Sequence, residues 1–325
     1  MIIPTPSTYR PTLEDFREAS KRIEGIALRT QLIPLRWYDE DPDILLKPEM
    51  LQPIGSYKIR GVYNWVTKLS PEQRAKGIST VSTGNMAQAV AYVAKLYNIP
   101  ARAIVQHTSP QNKKDAIRKY GGEVVSKSRD EWINYVSYPE DDRSFLSPVD
   151  EYCLLEGHGT IGLEIMEDAL ETDTIYVPLG AGFLGAGVAL AAKALKPSVK
   201  VIGVNAENSP HYYEGLKHGS VMDTPPKPTL ADGCSGNLMD FPNSKDNLQL
   251  IKDTIDEIVL VSEEKIKDAI RYLALENKVV AEGSGAMSLA AALSISKEER
   301  GKTVCILTGG SIDTDKLVKI VGKSL

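Results

Sequence analysis

Thr174-Ile-Tyr-Val-Pro-Leu-Gly-Ala-Gly-Phe-Leu-Gly185 is the stretch that decides the fold. Its first half is a short apolar run, bounded by a turn signal and too brief for a helix; its second half is a glycine-rich turn. The alanine-rich segment 188–195 then reads as a helix, and 199–204 returns to an apolar extended run. Strand, glycine turn, helix and strand in that order form a βαβ unit with parallel strands.

The same rhythm runs outward in both directions. Residues 78–81 read as a strand, and 86–98 carry apolar side chains at Val90, Val93, Ala94 and Tyr97, a helical spacing that stops before Pro100. Residues 101–106 are the next strand. Ser109-Pro110 offers an N-cap and a first-turn proline, the following helix runs to about Tyr120 with Gly121 as its stop, and 123–125 is extended again. Downstream, 263–277 and 284–295 read as helices and 303–307 as a buried strand ending at Thr308-Gly-Gly310. No fixed-period repeat or low-complexity tract interrupts this order. The alternation predicts two α/β units with parallel sheets, and a ligand at the carboxyl ends of the strands. Segment 208–242, with Pro210, Pro225, Pro226, Pro228 and Pro242, reads as a long ordered excursion of the kind that serves function.

Composition narrows the classes. With 38 Lys+Arg against 43 Asp+Glu over 325 residues, the chain lacks the basic footprint of a nucleic-acid binder. Cys153, Cys234 and Cys305 lie too far apart for a zinc or disulfide motif, which fits a reducing cytoplasm. The start, Met1-Ile-Ile-Pro-Thr-Pro, has neither the basic nor the apolar region of a secretory signal, so the expected location is cytoplasmic. The longest apolar stretches, near 187–192 and 287–295, fall short of the ~20 residues of a membrane span.

Two motifs carry chemistry. Gly180-Ala-Gly-Phe-Leu-Gly185 matches G-x-G-x-x-G between a strand and a helix, where free N–H groups and the helix dipole suit a phosphate. Glu207, 22 residues beyond Gly185, stands about where an acidic residue holds the ribose in NAD enzymes, so an NAD-dependent oxidoreductase and a ligand-free βα turn both remain open at this point. In Gly55-Ser-Tyr-Lys-Ile-Arg-Gly61, Ser56 is a natural N-cap that places Lys58 in the first turn of a helix among hydrophobic neighbours. Dipole and burial both push a lysine there toward the neutral amine, suited to a Schiff base with an aldehyde; the alternative is a solvated lysine at a helix end. Ser82-Thr-Gly-Asn85 adds hydroxyls and N–H groups at a helix start, a cradle for a carboxylate or a simple cap.

Taken together, these segments resemble the pyridoxal-phosphate enzymes of the tryptophan-synthase-β type, fold type II, and within them the serine/threonine dehydratase and serine racemase group. Ser56-Tyr-Lys-Ile-Arg-Gly61 is similar to the family's S-F/Y-K-x-R-G, Ser82-Thr-Gly-Asn-Met-Ala-Gln88 to S-x-G-N-x-A-Q, Gly180–Leu184 to the tetraglycine loop, and Thr308-Gly-Gly310 to S-G-G-N. Thr229-Leu-Ala-Asp-Gly233 and Glu282-Gly-Ser-Gly-Ala286 match further segments in the same order. The resemblance implies pyridoxal 5'-phosphate as cofactor. Lys58 would be its Schiff-base lysine, Asn85 would lie beside its 3-hydroxyl, Gly180, Ala181, Gly182, Phe183 and Leu184 would cradle its phosphate, Thr308 would face the pyridine nitrogen, and Glu282 would belong to the same site. Ser82, Thr83, Gly84, Asn85 and Met86 would surround the substrate, with Lys58 and Thr83 as the catalytic pair.

The fold implied is a large parallel-sheet domain, 1–59 and 147–325, with a smaller mobile α/β domain, 60–146, inserted in it. The activity implied is α,β-elimination from a β-hydroxy amino acid such as L-threonine or L-serine, giving a 2-oxo acid and ammonia. The resemblance also implies a homodimer or higher homo-oligomer and no metal in the reaction. Departures mark the limits. Ala181 and Phe183 replace glycines, Met86 stands where relatives carry His, Ser311 replaces Asn, and Thr83 occupies the place of a racemase serine. Glu207 matches the first carboxylate of a divalent-cation site whose second position is Tyr213 here. Replacement at the β or γ carbon (threonine synthase- or cysteine synthase-like), racemisation and a non-catalytic ligand-binding role are the alternatives. His211 and His218 read as surface or substrate-loop residues and Cys234 as a small buried thiol.

Overall fold

The computed structural model describes residues 5–36, 43–109, 111–140 and 142–322. Its strands, in chain order, are β1 (Ile33–Pro34), β2 (Ile44–Pro48), β3 (Ile78–Val81), β4 (Ala101–Gln106), β5 (Glu123–Lys127), β6 (Ser144–Leu146), β7 (Thr174–Pro178), β8 (Lys200–Ala206), β9 (Glu257–Val261) and β10 (Thr303–Leu307). They form two sheets: β1-β2-β10-β7-β8-β9, and β5-β4-β3-β6. Every pairing is parallel except the short β1–β2 edge. The smaller sheet takes all its strands from 78–146, and the larger one draws from both sides of that interval.

Burial on both faces explains the continuous apolar strands. Along β7, Ile175 and Val177 enter one core cluster while Tyr176 between them enters the cluster on the other face. The helix Phe183–Leu195 that follows β7 crosses the helix Leu154–Asp168 at close range. A Cβ on Gly162 would stand 2.4 Å from the Val188 carbonyl oxygen, and one on Gly187 2.6 Å from that of Leu155, so backbone meets backbone at that crossing.

Several sequence expectations shift in detail. Helix Phe183–Leu195 starts five residues earlier than composition indicated, directly at the glycine turn. Ser56 stands one residue before the N-cap: Tyr57 caps helix Lys58–Thr67 without a side-chain bond, while Ser56 accepts from the Lys58 amide at 3.5 Å and forms a β-bridge with Gly309. The 263–277 helix divides into α-helix Glu263–Tyr272 and a π-helical turn Leu273–Asn277. The segment 208–242 contains helix His211–His218 and two short 3-10 turns. Gly121 ends its helix with φ +87°, as a C-terminal stop requires, whereas Pro110 lies outside the described residues. No helix among the described residues is long and apolar enough to cross a membrane.

Candidate active site

The carboxyl ends of β3 and β7 open onto one cavity of about 340 Å³. Ser82, Thr83, Gly84, Asn85 and Met86 line it from the loop after β3, and Gly180, Ala181, Gly182, Phe183 and Leu184 from the turn after β7. Lys58, Glu282 and Thr308 complete the set, so every site residue expected from sequence reaches this cavity.

Lys58 begins its helix, where the dipole disfavours a cation, and no hydrogen bond or ion pair among the described residues engages its amine. The amine lies 4.7 Å from the Tyr57 ring centroid. Burial brings its pKa down to about 8, although Cys234 and Glu282 pull the other way. A lysine of this kind is a competent nucleophile toward an aldehyde near neutral pH.

Asn85 opens helix Asn85–Tyr97 and donates from Nδ2 to Glu282 Oε1 at 2.8 Å. Burial, reinforced by the negative field of Asp232, raises the Glu282 carboxyl to about 7 despite Lys113, Asn85 and the Ser311 amide. The Thr83 hydroxyl lies 2.8 Å from that of Ser109. Thr308 is buried, and its hydroxyl finds no partner among the described residues. Cys234 lines the cavity with its thiol pushed up to about 12 by burial, the protonated form.

The turn after β7 is built for an anion. Gly182 is the N-cap of its helix at φ +92°, a left-handed backbone that glycine accepts readily, and a Cβ there would meet the Tyr212 hydroxyl at 2.7 Å. Tyr212 donates to the Ala181 carbonyl at 2.9 Å and His211 Nε2 contacts that of Gly180 at 2.9 Å, so both carbonyls are held by the large-sheet side. Among the described residues no oxygen accepts from the Ala181 to Gly185 amides. Phe183 is buried edge-on to Tyr152, with ring centroids 5.1 Å apart. An aldehyde-reactive amine, a nest of free amides for a phosphate and a partnerless hydroxyl together suit a phosphorylated pyridine aldehyde.

His211 corrects the sequence reading: it is fully buried beneath the glycine turn, because helix His211–His218 packs inward, while His218 is exposed beside Glu214. Sequence reasoning also missed His158, on helix Leu154–Asp168, whose ring lies edge-on to Tyr57 at 4.9 Å and whose two nitrogens have no partner among the described residues. Its flanking glycines in Glu156-Gly-His-Gly-Thr160 were the available signal, since small residues let helices approach. The ion pair Lys113–Asp232 at 2.5 Å across the cavity, and the aromatic pair Trp132 and Phe241 in its wall, had no local signature.

Comparison with known proteins agrees with this geometry. The family profile described as pyridoxal-phosphate dependent enzyme matches residues 23–309. The chain is 38% identical over 324 residues to L-threonine ammonia-lyase of Thermotoga maritima, covering 97% of this chain and 79% of that one. It is 35% identical to the catabolic L-threonine dehydratase of Escherichia coli K12, covering 95% and 96%. Maize serine racemase superposes with a TM-score of 0.86 at 31% identity, covering 96% and 97%.

Proposed function

The chain belongs to the pyridoxal-phosphate dependent enzymes, fold type II, and on that premise we propose that it is an ammonia-lyase converting a β-hydroxy amino acid, L-threonine or L-serine in type, to a 2-oxo acid and ammonia. Its cofactor is pyridoxal 5'-phosphate, and the glycine turn is accordingly a phosphate cradle rather than a dinucleotide fingerprint. The observation that carries the reading is Lys58, an unpaired amine of lowered pKa in the same cavity as the free amides of the turn after β7.

The cofactor, when bound, supplies the electron sink that acidifies the substrate's α C–H bond. Lys58 would hold its aldehyde, the Ala181–Leu184 amides its phosphate, Asn85 its ring hydroxyl, and Thr308 its pyridine nitrogen. A neutral hydroxyl at Thr308 would leave that nitrogen unprotonated, which would favour elimination over reactions needing a long-lived carbanion. The Ser82–Asn85 amides and hydroxyls orient the substrate carboxylate. The Lys58 amine, free at the pH where it is uncharged, takes the α-proton at Nζ. Glu282, buried and paired with Asn85, keeps that amide from rotating. Racemisation would require Thr83 to move a proton on the opposite face, and the hydroxyl beside it, Ser109 Oγ, is no base; elimination is therefore favoured.

The same reading takes 60–146 as a small mobile domain set into 1–59 and 147–325, supported by the confinement of β3 to β6 to that interval, and the active form as a cytoplasmic homo-oligomer. Purified holoenzyme is expected to show a visible absorption band that borohydride removes, to release 2-oxo acid from L-threonine or L-serine, and to lose both properties on Lys58→Ala. Protein that takes up no pyridoxal phosphate would overturn the reading.

A further inference from the structure

The wall beside the carboxylate loop is apolar and aromatic. Val81 precedes Ser82 directly, and Val149 follows β6, the strand paired with β3, so both stand where a substrate anchored on Ser82–Asn85 extends its side chain. Trp132, Phe241 and Ala181 continue the surface. These three side chains pack on a cluster of Val81, Ile104, Tyr135, Val136 and Val149, so the wall is fixed by core contacts from both sides of the cavity. Placing both Trp132 and Phe241 here is a concentration, for the chain has only 3 Trp and 4 Phe. The Trp132 indole N–H is buried and has no partner among the described residues. Lys113, the cation at the cavity besides Lys58 among the described residues, is held by Asp232 at 2.5 Å.

Resting on the lyase reading above, we infer that the preferred substrate is a β-hydroxy-α-amino acid whose β-carbon carries an aryl group, with 3-phenylserine as its simplest member. A methyl group, as in threonine, leaves most of this surface facing water, and a side-chain carboxylate would meet at this cavity only Lys113, already paired with Asp232, and Lys58, which the cofactor would occupy. An aryl ring covers that surface. The reaction balances. The α C–H bond breaks with its proton passing to the Lys58 amine, the β C–O bond breaks with the hydroxyl leaving as water, and one water is taken up as the released enamine hydrolyses to phenylpyruvate and ammonia. No oxidant or reductant is needed.

The test uses holoenzyme, with L-threo-3-phenylserine and L-threonine compared for 2-oxo acid release, and with L-phenylalanine and L-2-aminobutyrate, which lack the leaving hydroxyl, compared for binding by calorimetry. The expected result is a kcat/KM at least about tenfold higher for phenylserine, the scale on which pockets discriminate apolar groups, and tighter binding of L-phenylalanine by a similar factor. Trp132→Ala and Phe241→Ala should each lower the phenylserine-to-threonine ratio by about tenfold. Should either variant fail to fold, the wild-type ratio and the binding pair decide alone. Threonine turnover equal to or above that of phenylserine, with L-phenylalanine binding no tighter than L-2-aminobutyrate, overturns the aryl preference and leaves the lyase reading intact. Inertness toward both substrates overturns both.

Discussion

Asn85 and Glu282 are joined by a 2.8 Å hydrogen bond that ties the first residue of the helix after β3 to the N-cap of helix Gly283–Ala292, so one bond links the smaller sheet's loop to the larger sheet's layer. Gly309 passes beneath it so closely that a Cβ there would stand 2.6 Å from Glu282 Oε1.

That bond predicts a pH-dependent gain from Glu282→Gln. The buried carboxyl has its pKa raised from 4.5 to about 7, so between those values the folded protein holds a proton that the unfolded chain has released. Wild-type stability therefore falls as pH rises from 4.5 to 7, and the cost is fully present above 7. Gln keeps the acceptor for Asn85 and carries no charge. Denaturant titrations of cofactor-free protein are expected to find the variant equal to wild type near pH 4 and more stable at pH 8, by at most about 3 kcal/mol.

Lys58→Met tests the opposite sign. The folded pKa of about 8 lies below the unfolded 10.5, so the unfolded chain binds the extra proton between those values and wild-type stability rises through that window. Below pH 8 the buried ammonium is a cost that methionine lacks. Cofactor-free Lys58→Met should be the more stable protein at pH 7 by up to about 3 kcal/mol, discounted for the water that reaches the amine through the cavity, with the difference closing toward pH 10.5. Chemical denaturation at several pH values measures it.

Much of this was legible because chemistry and punctuation coincide locally. The glycine turn after β7, the lysine at a helix start and the Ser82–Asn85 loop each announce their backbone geometry in four to seven residues, and all three meet at one cavity. β2 was not legible: its five residues carry Lys47, a charge that argues against a central strand, and tertiary partners, Glu164 and the Thr30 carbonyl each at 2.6 Å, let it sit beside β10. Helix Leu154–Asp168 escaped because burial all round removes the amphipathic stripe that marks a surface helix. His211 was misplaced for a related reason, since its role depends on a carbonyl 31 residues away in sequence.

Gly61→Ala should be poorly tolerated. A Cβ at Gly61 would lie 2.4 Å from His158 Nε2 and 3.0 Å from Leu154 Cδ2, so the buried imidazole must shift to admit it. Overpacking of this order costs about 1–3 kcal/mol and displaces the Lys58 helix. Thermal unfolding should show the loss, and His158→Ala in the same chain should recover part of it, giving a non-additive double-mutant cycle.

Arg60 anchors that same helix from below. Fully buried, it donates to Glu49 at 2.8 Å from both Nε and Nη2, to Glu164 at 2.6 Å from Nη1, and to the Leu28 carbonyl. Its charge holds the Glu49 carboxyl below the usual range although burial alone would raise it. Arg60→Leu would leave Glu49 without its main cationic partner and Glu164 with Lys47 alone. Removing one partner of a buried ion network costs about 3–5 kcal/mol, whereas replacing all members by apolar residues can be neutral. Glu49 would then take up a proton, so the penalty should be smaller at pH 5 than at pH 8: with its partner gone, its pKa rises above the unfolded value and stability falls as pH increases. Equal losses at both pH values in urea titrations would show that Arg60 acts through packing and not through charge.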